Sequence, residues 1–143
     1  MDYDVSTTII GRLTQLLLEA DVDPLEFMDT VPSNYLYGTN IKQFKVINPN
    51  IERLNARAFS GCFELMEIDF SNTKLHSIGS NCFLNCVKLK EIKLPNTIRV
   101  LSNTAFQNCN ALEKVYINCN KKDIIDIGWL YELPTECDII FND

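Results

Sequence analysis

Cysteine and histidine are the side chains of this 143-residue chain to consider first as ligands of a structural zinc ion. The chain has six cysteines and one histidine, His76. Cys62, Cys86 and Cys109 are separated by 24 and 23 residues, and no Cys-x-x-Cys pair occurs. Because a structural zinc site usually draws its ligands from closely spaced pairs, this spacing predicts no metal centre and no cofactor. We expect the three thiols to be buried one above another, as small apolar side chains.

Paired carboxylates are the other residues of this chain that could act in catalysis. Glu67 and Glu91 hold equivalent positions 24 residues apart and could form an acid–base pair. Lys45 and Lys93 lie nearby, which favours solvated surface charges instead. The chain lacks the Gly-x-Ser-x-Gly, His-Glu-x-x-His and P-loop motifs, and it has only five glycines for a phosphate-binding loop. We therefore predict no catalytic residue and no enzymatic activity, with His76 as an exposed turn residue.

An internal repeat positions these residues. Units of 23 or 24 residues open with a Leu-x-x-Ile-x-Leu pattern, beginning at Ile41, Leu65, Leu89 and Leu112. The first three units continue through Phe-x-x-Cys, and the fourth does not. No unit of this kind can bury its apolar side alone, so each strand should pair in parallel with the next. The stacked apolar side chains would then form one continuous core.

This pattern resembles the BspA-like leucine-rich repeats of bacteria, their phages, some protists and large viruses. The match covers roughly residues 31–118, and its most specific pieces are Ala-Phe-Ser-Gly-Cys at 58–62 and Ala-Phe-Gln-Asn-Cys at 105–109. Cys82 replaces the alanine in the middle unit, and Ser-Asn at 71–72 replaces a usual proline. The resemblance implies an α/β repeat fold, a short right-handed leucine-rich-repeat solenoid with one parallel sheet and a cap at each end.

Caps are expected because a terminal repeat otherwise exposes its core and an open sheet edge. We predict a single domain over residues 1–143, with a helical cap at 1–30, repeats at 31–118 and a second cap at 119–143.

The N-terminal cap is predicted to be helical from its apolar spacing. Apolar residues recur on one helical face over about residues 6–20. Asp-Pro at 23–24 is a second helix start signal and opens a short helix through Met28.

The C-terminal cap is predicted from a cluster of apolar residues after the last unit. Trp129 supplies buried area there, with a role as a partner-binding hot spot as the alternative. Residues 137–141 read as a last strand. Cys119 and Cys137 both fall within this cap, and a disulfide between them remains open.

Charge is distributed unevenly along the chain. The net charge is −6. Residues 1–40 hold seven acids and one base, whereas residues 41–143 hold 12 of each. This balance offers no basic footprint for nucleic acid or an anionic membrane, although the acidic end could prefer a basic partner. With no apolar stretch of membrane-spanning length and no leader pattern, we predict a cytoplasmic protein without membrane contact.

The repeat also predicts which side chains project outward from the sheet. They flank the central apolar residue of each strand and form two columns. Opposite charges within a column could pair and fix strand register, or the columns could form a binding face with Tyr116 as an anchor. The candidate binding residues are Gln43, Glu67, Glu91 and Lys114 in the first column and Lys45, Asp69, Lys93 and Tyr116 in the second.

The function predicted from these features is a non-enzymatic protein–protein interaction module. Binding would use the exposed sheet face, the acidic N-terminal cap, or both. By analogy with phage members of the family, the chain could be a phage-encoded protein that blocks a host defence factor. An acidic mimic of nucleic acid and a structural component of virion assembly are the alternatives. We expect a monomer or a weak homo-oligomer.

Overall fold

The computed structural model describes residues 28–46, 48–120, 122 and 133–142. Nine short strands alternate with turns along these residues. Their bounds are β1 (Thr30–Val31), β2 (Gln43–Lys45), β3 (Arg53–Leu54), β4 (Glu67–Asp69), β5 (Ser77–Ile78), β6 (Glu91–Pro95), β7 (Val100–Leu101), β8 (Lys114–Asn118) and β9 (Asp138–Phe141).

The strands form two parallel sheets rather than one. The larger sheet has the order β2-β4-β6-β8-β9, and the smaller has the order β1-β3-β5-β7. From β1 to β8 each coil therefore contributes one strand to each sheet, and β9 adds a fifth strand to the larger one. The described coils make a β-solenoid of about four turns. Because neighbours in each sheet come from successive coils, all pairings are parallel.

The prediction of a single parallel sheet is wrong, since the second strands of the coils form a sheet of their own. The sequence did not indicate this sheet because each of its strands is only two residues long. The sequence signal of such a strand is one buried residue, such as Leu54, Ile78 or Leu101, following one that faces outward. Two residues show no period-two alternation. Only backbone pairing between coils, such as Leu54 with Ile78, reveals the strand.

Turns close the remaining side of each coil, and hydrogen bonds join them from one coil to the next. The N–H of Phe59 donates to the carbonyl of Cys82 at 2.8 Å, and the N–H of Phe83 donates to the carbonyl of Ala105 at 2.8 Å. One position in this side recurs with a left-handed backbone, which glycine and asparagine tolerate best. The residues in that position are Gly38 (φ 69°), Gly61 (φ 71°), Asn85 (φ 61°) and Asn108 (φ 63°).

The core lies between the sheets and the turns and is built from repeated slots. Phe59, Phe83 and Phe106 stack in parallel, with ring centroids 5.3 and 5.2 Å apart. Phe59 also meets Phe70 edge to face at 6.2 Å. Offset stacks of this kind add to the energy of apolar burial, so the phenylalanine column ties successive coils together.

The described residues confirm one predicted cap element and leave the others untested. β9 confirms the predicted last strand, and it continues the larger sheet with Val115 opposite Ile139. Ile139 and Phe141 pack against the core. The described residues contain no α-helix. The helices predicted at 6–20 and from 23–24 to Met28, together with Trp129, lie outside the described residues, apart from Met28 itself.

Candidate protein-interaction face

The outer face of the larger sheet carries the two columns of side chains predicted from the repeat. In the first column, Gln43 pairs with Glu67, Glu67 with Glu91, and Glu91 with Lys114. β9 adds Asp138 opposite Lys114, a member that the repeat pattern did not include. The side chains alternate with buried ones along each strand, so the first column faces solvent.

The second column follows two residues later on the same strands. Asp69 pairs with Lys45 on one side and with Lys93 on the other, and Lys93 pairs with Tyr116. Ile140 of β9 extends this column. The predicted register of all eight candidate residues is therefore confirmed, whereas their part in binding stays a prediction.

Asp69 and Lys93 are neighbours in the second column, but Asp69 bonds within its own turn instead. The carboxylate of Asp69 accepts hydrogen bonds from the backbone N–H of Ser71 at 2.9 Å and from its hydroxyl at 2.6 Å. This local turn occupies the position where the next unit has Pro95. Asp69 and Lys93 are opposite each other in the register but form no ion pair. Among the described residues, the ion pair is instead Lys88 with Glu64, at 2.8 Å.

Lys93 turns towards the aromatic member of the column. Its Nζ lies 5.8 Å from the ring centroid of Tyr116, within the range of a cation–π contact. Lys93 stays exposed in this contact. The predicted anchor Tyr116 therefore has a cation beside it before any partner binds.

A depression of about 190 Å³ lies beside this contact on the outer face. Glu67, Asp69 and Glu91 supply three carboxylates to its lining, and Lys93 supplies one ammonium group. The depression is acidic, while Lys114 and Tyr116 lie on the following strand. The outer face thus changes from acidic over β4 to basic and aromatic over β8.

The cysteines of the repeat point away from this face into the core. Cys62, Cys86 and Cys109 are buried, as predicted, and each donates its S–H to a backbone carbonyl of the preceding coil. The sulfur-to-oxygen distances are 3.2 Å from Cys62 to Leu36, 3.1 Å from Cys86 to Phe59 and 3.0 Å from Cys109 to Phe83.

Three of the four buried thiols are poor nucleophiles, whereas a hydrogen bond with Cys86 lowers the pKa of Cys62. Burial raises the pKa of Cys109 to about 12 and raises the pKa of Cys82 beyond the range of ordinary thiols. The pKa of Cys86 is also raised, first by its interaction with Cys62 and then by burial. Since the thiolate is the reactive form, Cys82, Cys86 and Cys109 serve packing.

The remaining candidates for chemistry do not assemble into a site. No disulfide joins Cys119 and Cys137. His76 precedes β5 and is half-buried rather than fully exposed, with its backbone N–H bonded to the carbonyl of Glu52 at 2.8 Å. In the described segments, no three His, Cys, Asp or Glu side chains lie together as metal ligands would.

The family comparison agrees with the repeat seen in the coils. The family model of the BspA type leucine-rich repeat region matches residues 29–128, in six copies. The chain belongs to the BspA-type leucine-rich-repeat family. Comparison with curated proteins and with solved structures gave no match.

BspA-type and other leucine-rich-repeat domains are generally protein-interaction modules, since their sheets display wide sets of side chains. The described segments of this BspA-type domain hold no helix with the length and apolar character that crossing a membrane demands.

Proposed function

We propose that this domain is a non-enzymatic protein-interaction module that binds a protein partner through the outer face of its larger sheet. The observation that carries the proposal is the register of the two outer columns. Three residues of the first column, Glu67, Glu91 and Lys114, form no hydrogen bonds or ion pairs with one another in the described structure. Their polar groups therefore remain accessible to a partner.

The charges on this face favour a particular orientation of the partner. Basic groups of the partner would lie over the acidic depression at Glu67 and Glu91, and acidic groups would lie over Lys93 and Lys114. Tyr116, beside Lys93 and on the same strand as Lys114, offers an amphipathic anchor in the basic zone, a role for which interfaces enrich tyrosine. Charge complementarity of this kind steers association and fixes orientation, so binding should weaken as salt is added.

Affinity capture with charge-reversed variants tests the proposal. The tagged full chain is incubated with lysate of its native host, and the retained proteins are identified by mass spectrometry. Glu67→Lys and Lys93→Glu change the outer face, whereas Glu136→Lys and Lys74→Glu make the same exchanges at exposed positions elsewhere. We expect each face variant to lower the affinity for the retained partner by about tenfold, a loss of ~1.4 kcal/mol.

The two matched controls should retain the partner like the wild type. Equal retention by all four variants would refute the role of the sheet face. If only Asp21→Asn with Asp23→Asn reduced retention, the contact would belong to the acidic N-terminal residues. The same capture tests the more specific hypothesis of a phage protein that blocks a host defence factor, because it identifies the partner.

A further inference from the structure

The outer face of the larger sheet is charged, whereas a second surface of the domain exposes apolar side chains. Phe63, Met66 and Val87 are 42%, 41% and 42% exposed. Of the five large apolar side chains that are exposed in the described part of the chain, these three lie on the connections that lead into the larger sheet in two successive coils, before β4 and before β6. Single exposed apolar residues are common, whereas a group of them marks an interaction site more often.

Contacts between successive coils hold these residues side by side. Phe63 and Val87 precede Glu64 and Lys88, whose side chains meet across the coils at 2.8 Å. The positions that include Phe63 and Val87 are therefore neighbours on the surface.

Backbone hydrogen bonds fix the third apolar residue in the same way. The N–H of Met66 donates to the carbonyl of Lys42 at 2.8 Å, and the carbonyl of Met66 accepts from the N–H of Lys90 at 2.9 Å. Met66 thus lies between two exposed lysines, one on each adjacent coil.

The charged side chains on the same connections as these apolar residues are mostly basic. They are Lys42, Lys88 and Lys90, with Glu64 as the acid, whereas Glu67 and Glu91 follow on the outer face of the larger sheet. The pKa of Glu64 is lowered, first by its hydrogen bond and ion pair with Lys88 and more weakly by Lys42, which places Lys42 within electrostatic reach. With Glu64 paired to Lys88, the charges of Lys42 and Lys90 remain, although the whole chain carries −6.

We propose that Phe63, Met66 and Val87, together with Lys42 and Lys90, form a docking patch for an acidic peptide segment of a partner protein. Apolar side chains of the segment would contact Phe63 and Val87, and carboxylates beside them would bind the two lysines. This patch lies off the outer face of the larger sheet, so the inference extends beyond the proposed function. With three apolar residues the contact is small, and we expect weak binding that adds to a larger interface.

Titration with a defined peptide tests the docking patch on the full chain. The probe is the acetylated peptide Glu-Glu-Leu-Glu-Phe-Glu-Glu, added to ¹⁵N-labelled protein and followed by amide chemical shifts. We expect saturable shifts at Lys42, at residues 63–66 and at residues 87–90. Replacing the glutamates of the peptide with lysines should abolish them, because the lysines of the patch would repel the probe.

Variants assign the binding to particular side chains. Phe63→Ser should weaken binding of the acidic peptide by about tenfold, as loss of an anchor does, and Lys90→Glu should weaken it and reduce its dependence on salt. Val100→Ser removes an exposed apolar side chain from the smaller sheet and should leave binding unchanged. All of these positions are exposed, so folding should survive.

Four results would overturn the docking patch. The first is the absence of saturable shifts, and the second is equal binding of the acidic and basic peptides. The third is self-association of the chain that Phe63→Ser removes, which would assign the patch to a second copy. The fourth is a change at the patch amides when Glu19→Gln, Asp21→Asn and Asp23→Asn are introduced together, which would assign the patch to the chain's own N-terminal residues.

Discussion

The inward and outward columns of the same coils follow opposite rules. Inside, Phe59, Phe83 and Phe106 repeat one residue type at one spacing, and their rings stack within 5.3 Å of each other. Outside, one column of the larger sheet changes residue type from strand to strand. It has an acid at Asp69, a base at Lys93 and an aromatic ring at Tyr116. Packing against the next coil therefore restricts the residue types of the interior. The residue types on the exterior can vary, and they can determine which partner binds.

This contrast predicts a large stability difference between two phenylalanines of the same domain. Phe83 is fully buried in the middle of the stack, so Phe83→Ala should lower the free energy of unfolding by about 3–5 kcal/mol. Phe63→Ala, at an exposed position, should change it by less than about 0.5 kcal/mol. Urea unfolding followed by circular dichroism measures both. Equal losses would contradict the assignment of inward and outward positions.

The repeat made the core and the outer columns predictable. Because 23 or 24 residues separate equivalent positions, aligning the units predicts Glu67 beside Glu91 and Lys93 beside Tyr116, and the strand register confirms both pairs. Burial of Cys86 follows from the same alignment. Features that recur in every coil can be predicted from the sequence, because each repeat unit gives an independent example of the same pattern.

Features with a short or local signal were not predictable. The smaller sheet was missed because strands such as β3 and β5 have two residues each. Asp69 and Lys93 do not pair, although their charges and register allow it, because Ser71, two residues away, offers Asp69 two hydrogen bonds. The exposure of Phe63 and Val87 was also missed, since single apolar residues in turns show neither helix nor strand periodicity, although these two hold equivalent positions of the repeat.

Because the Cys109 thiol is buried, we expect the protein to lose stability in alkali. An ordinary thiol loses its proton near pH 9.0, whereas burial raises the pKa of Cys109 to about 12 in the folded chain. Above pH 9.0 the unfolded chain therefore releases a proton that the folded chain retains, which favours unfolding. The contribution of the Cys109 thiol to the free energy of unfolding is fully present below about pH 9. It falls as pH rises towards 12, by up to about 1.4 kcal/mol per pH unit for one thiol.

Urea unfolding under reducing conditions between about pH 7.5 and 10.5 measures this dependence. Cys109→Ala should show a shallower alkaline decline than the wild type, while Cys119→Ser, at a partly exposed position, should decline like the wild type. The comparison of slopes removes the contribution of lysines and tyrosines, which all three proteins share. Identical slopes for Cys109→Ala and the wild type would show that Cys109 is not withheld from solvent.

The smallest effect is expected from the outward ion pair between Glu64 and Lys88. Their side chains are 40% and 55% exposed, so water and salt screen the attraction although the atoms are 2.8 Å apart. Glu64→Gln, Lys88→Gln and the double variant should all keep the urea midpoint of the wild type. A double-mutant cycle measures the coupling directly. Measurable coupling would mean that exposed side chains also hold the coils in register, and the division between a packed interior and a variable exterior would no longer hold.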